Sequence, residues 1–406
     1  MGYYGRMKAE MSFKDKLIDY RNRYRRLKGK GSKGRFLSRL TDTFGFDRKY
    51  LIKLLNGQRD FKPPRGRGRT YGKEVERLAL KLRRLAADPC APYFVAMLPR
   101  LVADWEALKG PLDGEVRGKL LSASVSTVAR WFRKHPSKRI RHGNRRSGAN
   151  RIRDAVPCCP GLAIEDGAPG VVQVDTVAHG GGCQEPFFYS IDITDAMTQW
   201  TEFDFIWCRG AEAVKNAIGP MLRRFPFEVR RVHPDGGGEF MNGAVLSLFA
   251  ANFPEVEVFR SRPSRPNDNC RVEQKNGSIL RAWLGETRLD DRSLEPALHE
   301  LARCLSLYHN LFVPCKKLLS KTPRDKLHTS YKHVYDKPKT PLERCRESGL
   351  CDAGRIAEHE NLRDKINVIH LVAKIKSLVK TVVDNANNAR GAAGLAPQPL
   401  ASRLGV

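Results

Sequence analysis

The chain has no C-x-x-C pair, and none of its ten cysteines stands with histidine at zinc-site spacing. That excludes zinc fingers, zinc ribbons and the thioredoxin-type redox motif. The adjacent pair Cys158 and Cys159 is too close for an ordinary disulfide, so the thiols read as free and the compartment as reducing. No apolar run approaches the length of a membrane span, and the first residues do not form a signal peptide. The expectation is a cytoplasmic protein with no membrane partner. Acidic residues are scarce at the front of the chain, where residues 1–160 hold 14 Asp and Glu against 40 Lys and Arg. Residues 161–406 are almost balanced, at 30 against 33. Positive charge confined to one end suggests a polyanion-binding front attached to a nearly neutral body.

Within the basic front, apolar spacing at Phe13, Leu17, Tyr20 and Tyr24 suits a short helix. Phe36, Leu37 and Leu40 repeat at helical spacing, Gly45 interrupts them, and Tyr50, Leu51, Leu54 and Leu55 resume until Gly57. Helix, glycine turn and helix match a helix-turn-helix over residues 1–62, with Arg48, Lys49 and Lys53 on the helix that would enter the major groove. A plain helical hairpin has the same pattern. Residues 63–72 form an Arg/Gly/Pro linker whose Arg65, Arg67 and Arg69 suit a narrow minor groove. A second helix-turn-helix pattern lies within residues 73–160. There Val116, Leu120 and Leu121 precede a turn at Ser122–Ser126, with Ser126 or Thr127 as cap. Val128, Trp131 and Phe132 form the buried face of the next helix, and Arg130, Arg133 and Lys134 point outward.

From about residue 165 the texture changes to α/β. Strands are expected at 171–177, 187–193, 200–206, 228–232 and 255–259, and helices at 210–224, 240–252, 270–285 and 293–312. Three strands in hairpin succession followed by crossovers through helices describe a mixed sheet, expected over 165–312. A basic, loop-rich C-terminal region should follow at 313–383, ending in an amphipathic helix from about 354. The Ala/Asn/Gly tail at 384–406 reads as disordered.

Three carboxylates stand out. Asp175 lies near the end of the buried-looking strand VVQVD, where a lone charge is costly without a partner or a metal. Asp235 ends another strand and precedes three glycines, which allow close approach of a backbone or phosphate. Glu273 opens a helix after a polar loop. Hard oxygen ligands without His or Cys suit Mg²⁺ or Mn²⁺. Taken singly, each carboxylate is as well explained as a turn, cap or dipole residue. Asp192 is a rival to Asp175 as a ligand, but strand-end placement favours Asp175; His179 suits a loop role better than a ligand role, and Glu239 suits steadying the Asp235 loop. Lys275, Asn276 and Arg281 flank Glu273 and are candidate phosphate contacts.

The strings VDTVAH (174–179), DGGGEFMN (235–242) and RSRPSRPNDNCRVEQKNGSILR (260–281) resemble the catalytic core of bacterial insertion-sequence DDE transposases, which are similar in fold to retroviral integrases. The resemblance covers about residues 165–325. It implies a ribonuclease-H-like core in which Asp175, Asp235 and Glu273 bind two Mg²⁺ or Mn²⁺ ions and catalyse strand cleavage and strand transfer. It also implies double-stranded DNA as partner, a homo-oligomer of at least two copies on DNA, and association with the nucleoid. The gap between Asp235 and Glu273 is slightly longer than is usual in that family. Absence of the retroviral His/Cys zinc domain favours the bacterial branch. The alternatives are a plain metal-dependent nuclease and a DNA-binding regulator whose core no longer works.

Overall fold

The computed structural model describes residues 15–44, 46–61, 71–136, 167–180, 186–234, 243–259, 275–324 and 331–392. Contacts divide the chain into two units, Met1–Thr70 and Tyr71–Val406. The expected linker, with Arg65, Arg67 and Arg69, lies outside the described residues, as does the expected boundary near 160.

In the first unit, helices α1 (Leu17–Arg26), α2 (Lys30–Phe44) and α3 (Arg48–Leu55) pack around Leu17, Tyr24, Leu37, Leu40, Phe44, Leu51, Leu54 and Leu55. Aromatic side chains close the core, with Phe44 stacked on Phe46 and Tyr20 edge-on to both Phe36 and Phe44. The start of α3 is fixed by Asp47, whose carboxylate accepts hydrogen bonds from the backbone N–H of Lys49 (2.9 Å) and Tyr50 (3.1 Å). Those donors would otherwise be unpaired at a helix start.

The second unit opens with α4 (Lys73–Leu85), α5 (Ala91–Lys109), α6 (Gly114–Leu121) and α7 (Val125–Lys134). The cap of α7 is Ser124, which accepts from Thr127 N, rather than the expected Ser126 or Thr127. The helix therefore begins inside the stretch assigned to the turn, because Thr127 and Val128 are needed on its buried face. These helices share one hydrophobic core with the sheet and with the C-terminal helices, running from Val75 to Ala386.

The sheet has the order β3-β2-β1-β4-β5, from β1 (Val171–Ala178), β2 (Phe188–Asp195), β3 (Thr201–Trp207), β4 (Arg231–Pro234) and β5 (Glu257–Val258). The hairpin-linked strands β1, β2 and β3 pair antiparallel, whereas β4 runs parallel to β1 and β5 parallel to β4. Helices α8 (Ala211–Leu222) and α9 (Gly243–Asn252) supply the crossovers that parallel strands need. The mixed α/β core is thus as the sequence reading expects, although β1 continues three residues beyond Asp175. Val177 and Thr176 are β-branched, and both find partners on β2.

Past β5, a π-helical turn (Asn276–Leu280) leads into α10 (Arg281–Leu284), then α11 (Glu295–Phe312). Helix α11 runs beside the edge strand β3. Asn310 accepts from Thr201 N and donates to Thr201 O (both 2.8 Å), and Ser306 Oγ accepts from Phe203 N (3.0 Å). An edge strand is thereby paired by side chains instead of another strand.

The region expected to be loop-rich contains a two-stranded ribbon, β6 (Leu318–Pro323) with β7 (Tyr331–Tyr335), and α12 (Pro341–Ser348) behind a Thr340/Glu343 capping box. The expected single amphipathic helix is two, α13 (Ala353–Lys365) and α14 (Val368–Ala392). The break has a local cause, since Asp104 Oδ2 accepts from Val368 N (2.7 Å) and Arg100 donates to the carbonyl of Ile366 (2.6 Å). Helix α14 runs past Asp384, where the tail was expected to begin, because Val379, Val382, Val383 and Ala386 continue its buried stripe.

Candidate active site

The chemistry of the sheet's centre follows from strand alternation. Side chains two apart share a face, so Gln173, Asp175 and Val177 of β1 lie with Ser190, Asp192 and Thr194 of β2. The register places Asp175 directly opposite Asp192, and Gln173 opposite both Thr194 on one side and His233 on the other. On the β4 side, pairing stops at Val174 and Pro234, one residue before Asp175. Pro234 is also the last described residue before Asp235. Asp175 therefore lies on β1 one position beyond the described part of its parallel pairing with β4.

Asp175 is half-buried, and its Oδ1 accepts from Thr176 N at 2.8 Å. Asp192 is fully buried. Its Oδ1 accepts from the Thr194 hydroxyl at 3.0 Å, whereas Oδ2 has no hydrogen-bond partner. Burial pushes the Asp192 carboxyl well above the usual carboxylate range. The Thr194 bond and the Lys275 charge oppose that shift, and the charge of Asp175 adds to it. Lys275 is buried at 4% exposure, and its Nζ shares a 2.9 Å hydrogen bond with Nε2 of His309 on α11. Burial pulls the ammonium below its ordinary value, against the charge of Asp192. Asp175 and Asp192 thus pair across the sheet, and Lys275, two residues beyond Glu273 in sequence, is bonded to His309.

His179, just past β1, is a structural residue. It is buried, its Nε2 lies 2.9 Å from Ser190 Oγ, and burial together with the positive charge of Arg281 lowers its pKa to about 3. Asp235, Glu239 and Glu273 lie outside the described residues. Among the described residues, no group of three or more His, Cys, Asp or Glu side chains is placed to hold a metal ion.

The expected DNA contacts divide into three kinds. Lys49 and Lys53 are exposed on α3, and Arg133 is exposed on α7. Four others are turned toward protein groups: Arg48 to Ser38 Oγ (3.0 Å), Arg130 to Thr127 Oγ1 (3.1 Å), Lys134 to Glu76 (3.6 Å) and Arg281 to Glu286 (3.6 Å). Lys275, expected to face a phosphate, is instead buried and bonded to His309. Asn276 lies in the π-helical turn. The sequence reading missed His309, although a signal existed. Ser306, His309 and Asn310 are the polar positions on an otherwise leucine-rich face of α11.

Among the described residues, no helix is long and apolar enough to cross a membrane. No protein-family model matches the chain. The catalytic core domain of BIV integrase aligns over 35% of this chain and 83% of its own, with 15% identity and a TM-score of 0.26, a likeness too slight to carry weight. A protein of Sinorhizobium fredii (strain NBRC 101917 / NGR234) described as "uncharacterized protein y4rM" is 32% identical over 332 residues, which cover 80% of this chain and 93% of the relative. At that identity and extent, the chain belongs to the y4rM family.

Proposed function

We propose that the chain is a DDE-type transposase that cleaves DNA at the ends of a mobile element and joins the exposed 3′-OH to target DNA. The observation that carries this reading is the convergence at the sheet's centre. Asp175 lies on β1 beside β4, whose last described residue immediately precedes Asp235 in sequence, and Lys275, two residues after Glu273, is buried and acts through its charge on Asp192, the strand partner of Asp175.

Divalent metal ions fit the described part of this site. A half-buried carboxylate faces a buried one that has an unpartnered oxygen, and both are hard donors. Asp175, Asp235 and Glu273 would hold the ions, which when bound supply Lewis-acid stabilisation of the attacking and leaving oxygens during phosphoryl transfer. The remaining work belongs to the chain itself. Lys275 and His309 anchor the helical segment that follows Glu273 to α11. Lys49 and Lys53 of the first unit are exposed on α3 and suit contact with the DNA backbone.

The test is cleavage and joining of a labelled element-end duplex with Mg²⁺ or Mn²⁺, comparing wild type with Asp175→Asn. Loss of both activities together, by on the order of a hundredfold or more with DNA binding retained, is expected. Cleavage without joining in the wild type identifies a nuclease instead. Binding with neither reaction in the wild type identifies a regulator.

A further inference from the structure

The β6–β7 ribbon plays no part in the site described above, and its surroundings are unusual. Residues 316–339 carry eight Lys and Arg against two Asp. The body as a whole is nearly neutral, so the rest of residues 161–406 is slightly acidic, and the positive charge of this half of the chain is concentrated here. One of the two acids is already committed. Asp336 accepts from Lys317 N (2.7 Å) and from Arg344 Nη1 (2.7 Å).

Those bonds belong to a rigid root. Arg344 also donates to Cys315 O (2.8 Å), and Cys315 and Lys339 pair through their backbones (2.8 and 3.1 Å). Above the root the described apolar side chains at Leu318, Leu319, Val334 and Tyr335 are exposed, by 47%, 66%, 38% and 51%, and Arg324, Lys332 and His333 are exposed beside them. A two-stranded hairpin by itself is marginal in water, and exposed leucines on it are costly without a partner. A ribbon whose base is fixed and whose apolar side chains are exposed is built to meet something.

Charge identifies the occupant. We infer that the β6–β7 ribbon binds duplex DNA, entering a groove wide enough for two strands while its lysines and arginine meet the flanking phosphates. The apolar side chains would then lie against sugars and thymine methyls. The inference rests on the reading of the chain as a DNA-processing protein, and adds a contact surface separate from the basic N-terminal region.

The experiment uses the full chain and a fluorescein-labelled 30-base-pair duplex, with affinity measured across a salt series. The triple variant Arg324→Ala, Lys332→Ala and Lys337→Ala removes three exposed charges without touching the root. Its log-affinity against log-salt slope should be shallower by about three, with binding at least tenfold weaker at low salt. Lys49→Ala with Lys53→Ala should lower the slope independently. An unchanged slope in the ribbon variant, with an unchanged melting curve, overturns the inference. A photo-crosslinker at Leu319 gives a second measurement. Capture of DNA supports the inference, and capture of a second copy through strand pairing overturns it. Asp175→Asn keeps the two readings apart, because it removes cleavage and leaves the salt slope alone. A wild type with no cleavage but a ribbon-dependent slope defeats the transposase and leaves the ribbon's DNA contact standing.

Discussion

Two buried carboxylates on neighbouring strands have opposite surroundings. Glu202 on β3 accepts from Trp200 Nε1 (2.9 Å), Arg224 Nε (2.9 Å) and Asn310 Nδ2 (3.3 Å). Asp195 at the end of β2 is also fully supplied, with bonds from Gly170 N, Met197 N, and the N–H and hydroxyl of Thr198. Asp192, three residues earlier on the same strand, has one hydroxyl and an oxygen left without a partner. Burying a charge is tolerated when the chain itself satisfies it. Where the sequence supplies every donor, the carboxylate holds the fold together. At Asp192, across from Asp175, it leaves an oxygen bare.

That contrast can be broken by mutation, and the largest effect should fall on activity alone. Glu273→Gln should abolish cleavage and joining together, by on the order of a hundredfold or more, with thermal melting close to wild type. Retention of joining by a folded Glu273→Gln protein would remove it from the site. On the structural side, Glu202→Gln should cost about 2 kcal/mol in urea unfolding, because Arg224 loses a charge-assisted partner. Equal urea midpoints for variant and wild type would mean that the network is ornamental.

His179 gives an intermediate effect that depends on pH. Its folded pKa of about 3 lies below the ordinary 6.5, so below pH 6.5 the unfolded chain takes up a proton that the folded one refuses. Stability contributed by the neutral, buried ring is complete above pH 6.5 and declines as pH falls toward 3, by about 1.4 kcal/mol per pH unit. His179→Gln should flatten that decline between pH 6.5 and 5 in a calorimetric series, and parallel slopes for the two proteins would count against it. The smallest effect should come from Asp192→Asn. Its unpartnered oxygen has no bond to lose, so stability should change by less than about 1 kcal/mol. Activity should fall less than in Asp175→Asn, and a larger fall would exchange the roles of the two residues.

Much of the sheet was legible because strand alternation is strong. The β-branched runs at β1, β2 and β3 mark themselves, and the change from hairpins to helical crossovers predicts a mixed sheet. Asp175 was legible for the same reason, as a charge within an apolar strand. The burial of Lys275 was not. A lysine on a helix looks outward by composition, and only its tertiary neighbours, His309 from α11 and Asp192 from β2, turn it inward. The split between α13 and α14 was hidden likewise, since Arg100 and Asp104 that enforce it lie on a helix far away in sequence. The cap at Ser124 was missed by two residues because three serines compete within five positions.

The bond from Val368 to Asp104 spans 264 residues. It joins α5 to α14, which is made much later in synthesis. The apolar faces of α4 and α5 that α14 covers therefore stay uncovered while the intervening chain is being translated. Closing so long a loop before its contacts form makes folding slow and leaves sticky surface in the open meanwhile. A copy truncated before α14 keeps those apolar faces in the open.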